Sequence, residues 1–147
     1  TGAVAWLAAL ALLLGAGAAR AIVVLEEVRV PVKVADRYGK EVEQEIVVGL
    51  FRESSAPRPY PLLVLNHGRA TTPAGFARVR VAEFDAAARW LARFGFLVAV
   101  PIRVGYGASG GPDIEHSGSC RNRDYAPVYH AGAVQTLAVL SHLRQRP

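Results

Sequence analysis

The sequence predicts an α/β fold in which an antiparallel hairpin leads into parallel βαβ units. Three observations carry that expectation. Two apolar runs, residues 62–65 and 96–101, are separated by one stretch with helical amphipathic spacing. Each run ends in a glycine-bearing loop, Asn66-His67-Gly68 and Arg103-Val104-Gly105-Tyr106-Gly107. Upstream, Val28, Val30, Val32 and Val34 alternate with Arg29, Pro31 and Lys33, the period of a half-buried strand.

In chain order, residues 1–19 hold no charge and residues 4–14 form a compact apolar block. Small residues follow, with two A-x-A matches ending at Ala18 and Ala21. This is the pattern of the apolar region and cleavage site of a secretory signal, so residues 1–21 read as a signal peptide. A membrane anchor is the alternative, since the uncharged run would span roughly 28 Å as a helix, just under a bilayer core. Either way the remainder, residues 22–147, is expected outside the cytoplasm.

Residues 23–34 form the first strand, with Pro31 pointing to a sheet edge. Asp36 to Lys40 make a turn, and residues 46–52 return as its partner. After a Pro/Ser loop, residues 62–65 read as a parallel strand buried on both faces. Residues 69–77 are expected as loop, and residues 81–94 as a helix with Val81, Phe84, Ala88, Leu91 and Phe94 on one face. Gly95 ends that helix and the second apolar run follows. Residues 104–123 form a long Gly-rich loop, and a last helix starts near Pro127, with Val134, Leu137, Ala138 and Ser141 facing one way.

Composition sets limits on function. The 147 residues fit one domain, and a hydrophobic share of 52% can build a core. There is no Met, so the start of the coding region is expected upstream. The net charge of +5 is carried almost entirely by Arg, with Lys33 and Lys40 the only lysines. These charges are scattered among acids without a basic, aromatic-bearing face, which argues against nucleic acid as a partner. Cys120 is the single cysteine and reads as a free loop thiol, with pairing to a cysteine beyond Pro147 as the alternative. No His/Cys/Asp spacing marks a metal site and no phosphate loop occurs, so no cofactor is expected.

Gly107-Ala108-Ser109-Gly110-Gly111 matches the G-x-S-x-G nucleophile elbow. Its setting differs, because an elbow turns a strand straight into a helix, and here Pro112 and an aperiodic stretch follow. Ser109 is therefore at best a weak nucleophile candidate. His116, His130 and His142 lack the setting of a general base. Asp113 and Glu115 show no partner in sequence and read as a solvated loop face.

The strings PLLVLNHG and GFLVAVPIRVGYGASGG, with a helix between and a helix after, resemble the N-terminal half of an α/β-hydrolase. The similarity is to the secreted dienelactone-hydrolase-like and acyl-peptidase-like branch and covers residue 28 onward. It implies a serine hydrolase of ester or related acyl bonds, truncated before its nucleophile elbow, with its catalytic triad outside this chain. It also implies that the R-x-G-x-G-x-S stretch is the loop after the fourth strand, upstream of the elbow. His67, Gly68 and Arg69 become the oxyanion loop, with the Arg69 backbone N–H as donor and His67 as a brace rather than a base. Tyr106 and His116 are candidate pocket residues. The implied partner is a small ester or acyl substrate, with contact to a membrane only if the leader stays uncleaved; the oligomeric state is left open. The competing expectation is a complete, small, exported binding protein without catalysis.

Overall fold

The computed structural model describes residues 21–146. It contains a mixed β-sheet with helices packed on both faces. Strands β1 (Val23–Ala35) and β2 (Glu41–Glu53) are antiparallel. Their turn is built by Asp36, whose Oδ1 accepts the Tyr38 and Lys40 N–H groups at 2.8 and 2.9 Å. Gly39 completes it at φ 80°, a left-handed conformation that costs glycine little. Across the pair, Lys33 reaches Glu43 and Glu41 at 2.8 and 3.0 Å, an exposed cross-strand ion pair.

Strand β3 (Leu62–Val64) and strand β4 (Leu97–Ile102) are parallel, and β4 also pairs antiparallel with β2. The sheet order is β1-β2-β4-β3. Pro31 thus sits on an edge strand, as its missing N–H requires. The first apolar run packs toward both faces, Leu62 and Val64 on one core and Leu63 and Leu65 on the other, but the expected full burial is corrected: β3 occupies the other edge and is half-buried.

Between β3 and β4 the expected loop contains a short helix α1 (Pro73–Arg78), capped by Thr72, whose Oγ1 accepts the Gly75 N–H at 3.0 Å. The expected single helix over 81–94 divides into a 3-10 turn (Val81–Phe84) and helix α2 (Asp85–Ala92). The division lets Val81 pack against the bare backbone of Gly49, where an added Cβ would lie 2.3 Å from Val81 Cγ1. Phe94 lies outside the helix, 63% exposed and stacked edge-on against Trp90. Gly95 terminates the segment at φ 87°.

Beyond β4 the Gly-rich loop holds a 3-10 turn (Gly107–Ser109) and a tight ribbon of β5 (Gly118–Ser119) and β6 (Asn122–Arg123). Helix α3 (Ala126–Arg144) buries Ala131, Gln135, Val139 and Leu143. This corrects the expected face: Val134 and Ala138 only flank it, while Leu137 and Ser141 point to solvent. The strict i, i+4 stripe contains a glutamine, which hydropathy alone hides.

Helix α3 covers one face of the sheet, through Val30, Val32, Ile46, Val48 and Ala99. Helix α2 and Val81 cover the other, through Val47, Phe51, Val98, Val100 and Ile102. Alternation along β2 and β4 sends successive side chains into opposite cores. The proposed signal or anchor lies outside the described residues, save for Ala21 at its end. No helix among the described residues is long and apolar enough to cross a membrane.

Candidate functional site

Parallel pairing brings the ends of β3 and β4 to the same side of the sheet, so residues 66–69 stand beside Arg103. Arg103 follows an apolar strand directly and is 7% exposed; its counter-ion Glu115 is 2% exposed. The guanidinium grips that carboxylate twice, Nε to Oε1 at 2.5 Å and Nη2 to Oε2 at 3.1 Å. Tyr106 donates its hydroxyl to Glu115 Oε2 at 3.0 Å. A buried charge is tolerated when it is paired and its remaining hydrogen-bonding groups are met. Here the remaining guanidinium nitrogen, Nη1, donates to the main-chain carbonyl of His67 at 2.9 Å.

His67 is bound at both ring nitrogens. Its Nε2 accepts the Arg103 backbone N–H at 3.2 Å, and its Nδ1 lies 2.7 Å from the Gly68 carbonyl. An acceptor at Nε2 fixes the neutral ring with its proton on Nδ1, which donates to Gly68. Burial pushes the His67 pKa down, against an upward pull from the Gly68 carbonyl. Both ring nitrogens are thus engaged, and His67 ties the loop to the end of β4. Tyr106 stacks against His67 at 4.3 Å and Phe76 at 4.8 Å between ring centres. Burial, and then the Glu115 charge, raise its pKa to about 12, so it stays a neutral donor.

The loop is also clamped from outside. Arg69 binds Asp113 through two parallel hydrogen bonds of 2.8 and 2.7 Å and lies 5.1 Å from the Phe76 ring centre. Asp113 Oδ1 accepts the Glu115 N–H at 3.2 Å, joining the outer and inner ion pairs. The Arg69 guanidinium holds the Asp113 carboxyl below its usual range. The expectation of a solvated loop face is corrected for Glu115, which is buried against Arg103, whereas Asp113 is exposed as expected and has Arg69 as its partner. The clue in the sequence was Arg103, a charge continuing an apolar strand, which needs a counter-ion. Gln135 was missed too: its Oε1 accepts the Val104 N–H at 2.7 Å, anchoring the end of β4 to α3.

The other candidates are placed as follows. Ser109 Oγ donates to the Ile102 carbonyl and accepts the Val47 N–H at 2.8 Å, so it ties the 3-10 turn to the sheet. Tyr106 is fully buried and supports the loop from beneath rather than lining an open pocket. His116 is exposed, with Nδ1 accepting the Gly118 N–H at 3.1 Å. His67 is buried, while Gly68 and Arg69 are exposed on the loop above it, and a Cβ at Gly68 would meet nothing within 4 Å. Cys120 is an exposed free thiol whose pKa is lowered by the hydrogen bond from Arg123.

A cleft of about 750 Å³ lies at the opposite end of β3, lined by Leu50, Leu62, Leu97 and Leu143 with Arg52 and Arg144. It does not include residues 67–69. No protein-family profile, curated protein or solved structure matches the chain.

Proposed function

We propose that this chain is the N-terminal part of an exported serine hydrolase acting on ester or related acyl bonds. Residues 67–69 contribute one side of its oxyanion hole. The observation that carries the reading is where this braced loop stands in the topology. Helix α2 and helix α3 cover opposite faces of the sheet. Crossovers between parallel strands are right-handed. A strand entered from α3 would therefore step the opposite way from the β3-to-β4 connection and land on the outer edge of β3.

That edge is open among the described residues, and β3 has apolar side chains toward both cores. The loop after β3 would then lie where the strand order reverses, at the C-terminal ends of the strands. Ligands bind there in open α/β sheets. This is the hydrolase arrangement the sequence resemblance implies, a hairpin leading into parallel βαβ units with the nucleophile strand next to follow.

In the mechanism, a serine outside the described residues attacks the acyl carbon and the carbonyl oxygen gains negative charge. Backbone N–H groups of the 67–69 loop stabilise that charge, and a downstream His, oriented by an acid, takes the serine proton. Ser109 takes no part, being committed to Val47 and Ile102. Reading the coding frame beyond Pro147 tests the proposal. An apolar strand running into G-x-S-x-G and then a helix is the expected result. A stop codon at that point would sink the hydrolase reading in favour of an exported binding protein.

A further inference from the structure

The loop of residues 67–69 is held through its peptide planes as well as its side chains. The Arg58–Pro59 bond is the one cis peptide among the described residues, so both peptides of the loop are trans. In a trans peptide the C=O and the following N–H point in opposite directions. The His67 carbonyl is drawn inward by Arg103 Nη1 at 2.9 Å, so the Gly68 N–H points away from the buried guanidinium. The Gly68 carbonyl is drawn back to His67 Nδ1 at 2.7 Å, so the Arg69 N–H points away from the imidazole. Neither N–H meets an acceptor among the described residues, and both residues are exposed.

One group controls both planes. Arg103 fixes the first through its side chain and the second through its main-chain N–H on His67 Nε2, which sets the tautomer that donates to Gly68. Glu115 fixes Arg103 in turn. We propose that Arg103, held by Glu115, is the positioning residue of the oxyanion loop, and that it presents two consecutive N–H donors, Gly68 and Arg69, to an acyl oxyanion. The proposal rests on the hydrolase reading and adds Gly68 to the donor set. Lysine cannot replace Arg103, because a point-like ammonium does not reach Glu115 twice and the His67 carbonyl together.

Nuclear magnetic resonance of the full chain tests this with acetate as the probe, at constant ionic strength against chloride. Imidazole nitrogen shifts should report the Nδ1–H tautomer of His67 in the wild type. Finding the proton on Nε2 would overturn the proposal without any variant. Acetate should shift the Gly68 and Arg69 amides saturably. In Arg103→Lys its binding should weaken roughly tenfold, the order expected for losing one hydrogen bond to a charged group, while the His67 tautomer, set by a main-chain N–H that the variant keeps, should stay on Nδ1. Equal acetate binding in wild type and variant would overturn the positioning role while leaving the hydrolase reading intact. Silent amides in a wild type with the expected tautomer would overturn the donor role, and with it the use of this loop in that reading. Should Arg103→Lys fail to fold, Glu115→Gln loosens the same arginine and is read in the same way.

Discussion

Arg103 and Glu115 bring two opposite charges into a space that is otherwise apolar or aromatic, and the cost of breaking them is asymmetric. Glu115→Ala leaves a buried guanidinium unpaired and is expected to cost about 3–5 kcal/mol, measured by urea unfolding. The double change Arg103→Met with Glu115→Leu removes both charges and should recover most of that stability. If the single and double variants lost the same amount, the pair would not be a buried ion pair in solution. His67 adds a pH dependence whose sign is set by its depressed pKa. Above the ordinary imidazole value of 6.5 the folded and unfolded chains are both neutral at this site, and its contribution is complete. As pH falls through that value the unfolded chain takes a proton that the folded site resists, so stability declines. His67→Gln should flatten that part of the stability profile, and an unchanged slope between pH 7 and pH 5 would contradict the depressed pKa. None of this was legible from Glu115 alone, because a glutamate between Ile114 and His116 has no local signature of burial. The His67-Gly68-Arg69 loop was legible, because an apolar strand ending in Asn-His-Gly is a local pattern.

At the scale of elements, strands announced themselves better than helix faces did. Alternating valines in β1 and unbroken apolar runs in β3 and β4 have a period of their own, whereas α3 is apolar on more than one side. Its inward stripe of Ala131, Gln135, Val139 and Leu143 places an amide in the core, and that amide accepts the Val104 N–H and donates to the Ala131 carbonyl at 3.1 Å. Gln135→Leu, similar in size but without the amide, would strand a buried N–H and is expected to cost about 1–3 kcal/mol. A stability equal to wild type would show that Val104 finds another acceptor. The junction of the 3-10 turn with the sheet is tighter. At Gly107, φ is 40° and an added Cβ would lie 2.0 Å from the Val79 carbonyl oxygen. Gly107→Ala must therefore move backbone, and about 1–3 kcal/mol of overpacking cost should appear in the same urea experiment. These positions give G-x-S-x-G a structural basis here: Gly107 is required by a close backbone approach, and the Ser109 hydroxyl has two main-chain partners.

For the whole molecule the decisive feature is the outer edge of β3. The Pro61 carbonyl and the Leu65 N–H both bond to β4, so by alternation Leu62 and Val64 turn their backbone groups outward. Those groups have no strand partner among the described residues, and their neighbours along β3 are apolar on both faces. An open, apolar edge of this kind recruits another strand. The chain studied alone should therefore associate through β3, with a weight-average mass that rises with concentration in light scattering. Val64→Pro isolates the cause. It removes an N–H that faces outward, so both bonds from Pro61 and Leu65 to β4 can persist while the edge is blocked. Association of wild type that is lost in Val64→Pro, with the sheet signal in circular dichroism retained, would locate the contact at β3. A chain that stays monomeric and melts cooperatively would mean that the edge is already satisfied, and the case for a further strand beside the 67–69 loop would fall with it.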